Sequence, residues 1–187
     1  MKSISIRALR VVALLMLGGA GFVPLAQADD TNWTYPVIKY GPVQPLPKAA
    51  VQPKADQVYK ALFDVTSAIK DPTKPESGLV HVARAVNVFA SAGVSTQNLE
   101  FVAILHGPST TAILNNEAYK KKYGVENPNL PLIDALTEAG VHVDVCGQAL
   151  AENSIAHSEV YGKVQIDLSA LATTVIYGDM GYAYMKQ

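Results

Sequence analysis

The chain has 187 residues, of which 49% are apolar and 17% are charged, and its formal net charge is -1. This composition excludes a long disordered protein, and it gives no basic excess for binding nucleic acid. The single cysteine, Cys146, excludes an internal disulfide and any site built from several cysteines. We therefore expect a soluble protein with one compact domain and no nucleic-acid partner.

Residues 1–28 have the pattern of a signal peptide. A basic segment, residues 2–10, precedes an apolar segment, residues 11–17, and the AQA sequence at 26–28 has the small residues of a cleavage site. The apolar segment is shorter than the ~20 residues that span a bilayer, and no other segment is long enough, so no membrane span is expected. The sequence thus predicts a periplasmic protein, in a compartment where an exposed thiol is oxidised unless it is protected or used.

Residues 29–55 are rich in proline, with Pro36, Pro42, Pro45, Pro47 and Pro53. Proline lacks the N–H group that a helix needs, so we expect an extended arm on the domain surface or on a neighbouring subunit. Trp33, Tyr35 and Tyr40 are candidates to anchor the arm by burying their rings, and a disordered terminus is the alternative. Residues 56–187 are expected to form the folded domain.

Hydrophobic periodicity in this domain predicts strands that alternate with helices. The predicted strands are residues 59–66, 99–105, 141–145, 164–168 and 182–185. The predicted helices are residues 76–92, 109–122, 132–139 and 169–180, with a helical turn at 149–154. Because such strands connect by right-handed crossovers, the expected fold is a flavodoxin-like three-layer α/β sandwich with a five-stranded, mainly parallel sheet. The strand order expected for it is 2-1-3-4-5.

Cys146 ends the third predicted strand, and Gly147 follows it. Ligands bind at the carboxyl ends of the strands in an open parallel sheet, so Cys146 is expected at the ligand-binding edge. Gly147 permits close approach of a substrate, and the turn through Gln148 offers N–H groups that favour a thiolate. The alternative is a packed cysteine that acts as a small apolar residue.

His106 ends the second predicted strand. In the expected strand order the second and third strands flank the first, which puts His106 about 10 Å from Cys146. His106 is then a candidate base or ion-pair partner only with help from loop folding or a neighbouring subunit, and a structural histidine is the alternative. The same order places the loop after the first strand beside Cys146, where Lys70 or Lys74 would supply positive charge.

Other polar residues are weaker candidates. Ser109 and Thr110 begin a predicted helix and are candidates for binding an anion, with helix capping as the alternative. His142 and Asp144 share a strand face with Cys146, but steps of about 7 Å keep them apart, so a sheet margin or an interface is expected for both. The sequence has no metal-ligand spacing and no nucleotide-binding glycine motif, so neither a metal nor a cofactor is expected.

Three segments resemble the DsrE/DsrF-like family: FVAILHGPST at 101–110, NPNLPLIDALTEAGVHVDVCGQAL at 127–150, and residues 169–182. The resemblance covers most of residues 57–187. It implies a flavodoxin-like fold, assembly into trimers or hexamers, and a cysteine at the position of Cys146 that carries sulfur as a persulfide. Many relay members of this family are cytoplasmic, so the predicted export argues against a tRNA partner.

Two classes of function follow. The first is a periplasmic sulfur carrier or sulfurtransferase, in which Cys146 accepts sulfane sulfur from a protein or a small sulfur compound and passes it to a partner thiol. The second is a non-catalytic module that binds a small ligand or a protein, with Cys146 packed in the core. Access of reagents to the thiol separates the two. A disulfide between two copies of Cys146 is a third possibility and predicts a reducible dimer.

Overall fold

The computed structural model describes residues 32–187, so the predicted signal peptide lies outside the described residues. The strands are β1 Tyr59–Val65, β2 Leu99–Leu105, β3 His142–Cys146, β4 Gln165–Asp167 and β5 Ala183–Lys186. The α-helices are α1 Ser77–Ser91, α2 Asn116–Tyr123, α3 Leu130–Glu138, α4 Gly147–Glu152 and α5 Ala170–Asp179. None of the helices in this part of the chain is long and apolar enough to cross a membrane.

The strands form a parallel sheet in the order β4-β3-β2-β1-β5. This confirms the predicted flavodoxin-like three-layer α/β class, but the expected order 2-1-3-4-5 is wrong. The crossovers from β1 to β4 all move in one direction along the sheet, so right-handed connection places α1 and α3 on one face. The connection from β4 returns to the far side of β1 and places α5 on the opposite face. As a result, β2 and β3 are neighbours.

The two faces of the sheet carry cores of unequal size. Side chains alternate across each strand, so Val65 faces α1 and α3, whereas Leu62 faces α5. On the larger face, α1 buries an apolar stripe at helical spacing: Leu79, Val82, Ala83 and Val86. The smaller core consists of Leu62, Val102, Ile104, Cys146, Ala149 and Ala170. Cys146 therefore belongs to the layer beneath α5.

The predicted helix over residues 109–122 is wrong. The structure has a 3₁₀ helix, Gly107–Ile113, followed by the separate helix α2. Between them Leu114 is extended and forms a bridge with Val160. Asn115 then begins α2, because its Oδ1 accepts the N–H of Ala118 at 2.9 Å. This asparagine cap restarts the helix and breaks the predicted one in two.

Residues 32–55 contain no helix and pack against α1. The fully buried side chain of Asn87 holds this segment through main-chain hydrogen bonds. The groups that it binds are the N–H of Val37 and Ile38 and the carbonyls of Ile38, Tyr40 and Gly41. Of the three aromatic anchors that we expected, Tyr40 packs against the core, whereas Trp33 and Tyr35 are exposed.

Candidate functional site

A cavity of about 710 Å³ lies at the carboxyl edge of the sheet, between α4 and α5. In parallel sheets a ligand crevice forms where neighbouring strands send their connections to opposite faces. The strands contribute Asp64, Cys146 and Tyr184 to its wall, and His106 follows β2 directly. The helices contribute Gln148, Ala149 and Glu152 from α4, and Ala170, Leu171 and Val175 from α5.

Cys146 is both the last residue of β3 and the N-cap of α4. Its Sγ accepts a hydrogen bond from the N–H of Ala149 at 3.4 Å. The residue is 6% exposed, and that small exposed part borders the cavity. Cys146 is therefore packed in the smaller core on one side and borders the cavity on the other.

His106 lies beside Cys146 because β2 and β3 are neighbours. The register pairs Leu105 with Val145, so the next residue on each strand faces the other at a strand spacing of about 4.8 Å. The separation of about 10 Å that followed from the expected strand order is therefore wrong. His106 and Cys146 line the same cavity.

Asp64 holds the imidazole of His106. Asp64 is 9% exposed, and its Oδ1 lies 2.5 Å from Nε2 of His106. A carboxylate only accepts hydrogen bonds, so Nε2 carries the proton and Nδ1 is the nitrogen that remains for other partners. The structure therefore orients His106 through Asp64.

Tyr184 completes this arrangement by donating its hydroxyl hydrogen bond to Oδ2 of Asp64. That hydrogen bond, together with burial and the charge of Asp64, raises the pKa of Tyr184, so the phenol remains a donor at neutral pH. The chain of hydrogen bonds runs from β5 through β1 to the end of β2, beside Cys146. Sequence analysis missed both Asp64 and Tyr184. A charged residue within the apolar strand YKALFDV is the signal that marks Asp64.

Asp144 lies two residues before Cys146 in β3 and is 3% exposed, so the predicted margin or interface position is wrong for it. Its Oδ1 is buried and has no hydrogen-bond partner among residues 32–187. Burial, and next the charge of Asp167, raise the pKa of Asp144 to about 7. Asp167 pairs with Cys146 across β3 and β4, and its Oδ2 accepts the hydroxyl of Thr173 at 2.5 Å. His142, at the start of β3, is exposed as expected.

Gly147 and Gln148 occupy different positions relative to the cavity. A Cβ atom on Gly147 would lie 2.7 Å from the carbonyl oxygen of Asp167, so glycine is needed where α4 approaches the end of β4. Gln148 lines the cavity, and its Nε2 donates to the carbonyl of Leu168 at 3.3 Å. Gly147 thus has a packing role, and Gln148 is the one that lines the cavity.

Ser109 and Thr110 are buried outside the cavity lining. Ser109 Oγ donates to the carbonyls of Val65 and His106 at 2.6 and 2.9 Å. Thr110 Oγ1 donates to the carbonyl of Gly107 at 2.7 Å. Their hydroxyls stabilise the turn after β2, and the structure does not bring them to Cys146.

Lys70 and Lys74 line a separate depression formed by residues 68–77. They do not line the cavity, because their loop leads from β1 to α1, on the opposite face of the sheet from α5. Lys74 Nζ instead lies 3.3 Å from Oδ2 of Asp71. No lysine or arginine of the described residues lines the Cys146 cavity.

Comparisons with known proteins agree with this architecture. The sequence model of the DsrE/DsrF-like family matches residues 60–186. The fold is similar to that of a protein of unknown function, MTH1491, from Methanobacterium thermoautotrophicum, with 15% sequence identity and a TM-score of 0.50 over 69% of this chain and 99% of that chain. No curated protein matches the sequence. Since the family model spans most of the sequence, the chain belongs to the DsrE/DsrF-like family.

Proposed function

We propose that the protein carries sulfane sulfur as a persulfide on Cys146. The observation that carries this proposal is the position of the thiol, in the wall of a cavity of about 710 Å³ and next to a histidine held by a carboxylate. A nucleophilic cysteine is activated by a neighbouring base that a third group orients. Cys146, His106 and Asp64 supply these three groups.

In the proposed reaction the Cys146 thiolate attacks the sulfane sulfur of a donor. One bond to Sγ forms, one bond in the donor breaks, and the leaving group takes the electron pair. An acceptor thiolate then attacks the outer sulfur, and Cys146 leaves as a thiolate. His106 accepts the thiol proton at Nδ1 before the first step, because Nε2 is occupied by Asp64. One cysteine is sufficient for this cycle.

The proposal extends to location and partners. The sequence of residues 1–28 supports a periplasmic location, and the chemistry requires a sulfur donor and a thiol acceptor, each a protein or a small compound. Assembly into a homo-oligomer, a trimer or a hexamer, is part of the same proposal. It is supported by the exposed apolar side chains of α5, Leu171, Val175 and Ile176, and by that of its C-cap, Met180.

Intact-mass measurement tests the proposed function. The purified protein is incubated with polysulfide, thiosulfate or dimethyl trisulfide and its mass is measured before and after addition of an acceptor thiol. We expect an adduct containing transferable sulfur on the wild type and none on Cys146→Ala. No adduct from any donor, or an adduct that persists in Cys146→Ala, contradicts the proposal.

The alternative function is a binding module in which Cys146 has no chemical role. Its support is the burial of the residue, 6% exposed, in the core with Leu62, Val102 and Ile104. This function predicts that iodoacetamide labels Cys146 only after unfolding. Labelling of the folded protein at a rate comparable with that of the unfolded chain rejects it.

A further inference from the structure

The wall of the Cys146 cavity combines apolar and acidic groups. Ala149, Ala170, Leu171 and Val175 provide the apolar part. Asp64 and Glu152 provide two carboxylates, and the described residues contribute no lysine or arginine to the wall. Glu152 is exposed at the end of α4 and forms no ion pair within the described residues, so its charge is not offset there.

Asp167 adds a further acidic group beside the cavity, since it pairs with Cys146 in the sheet. His106 is the remaining basic side chain in the wall, and its Nε2 is already committed to Asp64. An anion that enters this cavity is therefore repelled by the surrounding carboxylates. Only a cation that enters with the anion could offset its charge.

From this charge distribution we propose that the sulfur donor is an uncharged, apolar sulfane-sulfur compound and that oxyanions such as thiosulfate are excluded. The inference rests on the proposed function and adds the class of substrate. Apolar walls stabilise an uncharged molecule by removing it from water, whereas a thiosulfate dianion would lose its hydration without gaining a cation. The same charges leave access to the thiol open for neutral molecules.

Transfer of sulfur from a dialkyl trisulfide to Cys146 is balanced in atoms and electrons. The Cys146 thiolate attacks the central sulfur, an S–S bond forms at Sγ, and the outer S–S bond breaks with its electron pair on the departing alkyl thiolate. Cys146 then carries a mixed trisulfide. An acceptor thiolate attacks the alkyl-bearing sulfur, forms a disulfide with it, and leaves the persulfide on Cys146.

Alkylation by a matched pair of reagents tests the charge selectivity without sulfur transfer. Iodoacetamide and iodoacetate have similar size and differ by one negative charge. We expect the ratio of their rates on Cys146 to exceed the ratio for the urea-unfolded protein by about fivefold. Glu152→Gln should reduce this preference, whereas Glu138→Gln should not, because Glu138 ends α3 near the opposite end of β3. An equal or smaller ratio in the folded protein overturns the inference.

A second experiment compares two sulfur donors directly. Dimethyl trisulfide and thiosulfate are compared at equal concentration by intact mass, with Cys146→Ala as the blank. A faster adduct from dimethyl trisulfide supports the inference. A faster adduct from thiosulfate overturns it and leaves the proposed function in place. No adduct from either donor, or from polysulfide, overturns the proposed function and with it the donor class.

Discussion

His106 and Cys146 line the same cavity, and Asp64 binds Nε2 of the imidazole. Asp64→Asn keeps the size of the side chain and removes its charge, so the imidazole loses the group that fixes its tautomer. We expect the rate of Cys146 alkylation by iodoacetamide at neutral pH to fall on the order of tenfold. The pH dependence of the rate should change as well, which a loss of stability alone would not produce.

Tyr184→Phe removes one hydroxyl from the same hydrogen-bond chain and should give a smaller loss of rate in the same direction. Tyr35→Phe is the matched control, because Tyr35 is half exposed in the arm and does not line the cavity. Equal alkylation rates for the wild type and the Asp64→Asn protein would show that the Asp64–His106 pair does not act on the thiol.

Asp144 makes stability depend on pH. Its pKa is raised to about 7, whereas the unfolded chain releases that proton near pH 4. Between these pH values the folded state holds a proton on Asp144 that the unfolded state lacks. The free energy of unfolding therefore falls as pH rises through this range. Relative to Asp144→Asn, the wild type should lose up to roughly 4 kcal/mol of unfolding free energy from pH 4 to pH 8.

Urea unfolding at several pH values measures this difference. The control is Asp179→Asn, at the exposed end of α5, for which the difference from the wild type should stay constant. A constant difference for Asp144→Asn as well would mean that Asp144 is ionised throughout the range.

The sequence predicted Cys146 and His106 as candidate residues because each ends an apolar strand before an abrupt turn, which is a local pattern. Asp64 and Tyr184 were not predicted, because they belong to the site only as a result of the pairing of β1 with β2 and β5. Which strands lie beside β1 depends on crossovers that span most of the domain. For the same reason the sequence placed Lys70 and Lys74 at the site and kept His106 away from it.

At the scale of elements, α4 can begin directly after β3 because Gly147 has no side chain. In Gly147→Ala the new Cβ would lie 2.7 Å from the carbonyl oxygen of Asp167, so either α4 or β4 must shift. We expect a loss of about 1–3 kcal/mol in unfolding free energy. Gly162→Ala is the control, since a Cβ there meets open space, and its change should stay within about 0.5 kcal/mol. Similar losses for both variants would contradict this role of Gly147.

Strands and amphipathic helices were predictable because their apolar periodicity is local. The helix over residues 109–122 failed because the chain extends at Leu114 and restarts at Asn115, a break set by long-range partners such as Val160. The strand order failed because local patterns carry no information about which side of β1 receives β5. The fold class and the positions of most strands and helices were thus predictable from the sequence. The order of the strands in the sheet was not.

At the scale of the whole molecule, α5 is the helix that covers the smaller core, and it is apolar on its outer side too. A helix that is apolar all round is normally buried, so we expect a second copy to cover it. Light scattering should show an oligomer at micromolar concentration. Ile176→Glu should yield smaller species, because a charge on this surface would be buried at the interface.

Val88→Glu is the control for this experiment. Val88 is about as exposed as Ile176, 47% against 56%, but it lies on α1, on the other face of the sheet. Oligomers should survive that substitution. A monomeric wild type, or equal dissociation by both substitutions, would contradict assembly through α5.

The position of α5 and β5 in the chain has a consequence for how the protein matures. Ribosomes synthesise β3, with its thiol, before they synthesise the helix and the strand that wall the cavity and supply Tyr184. A nascent chain that has just completed β4 therefore displays Cys146 without that cover. Its sulfur is then open to oxidants from more sides, whereas in the finished domain the cavity is the approach to it.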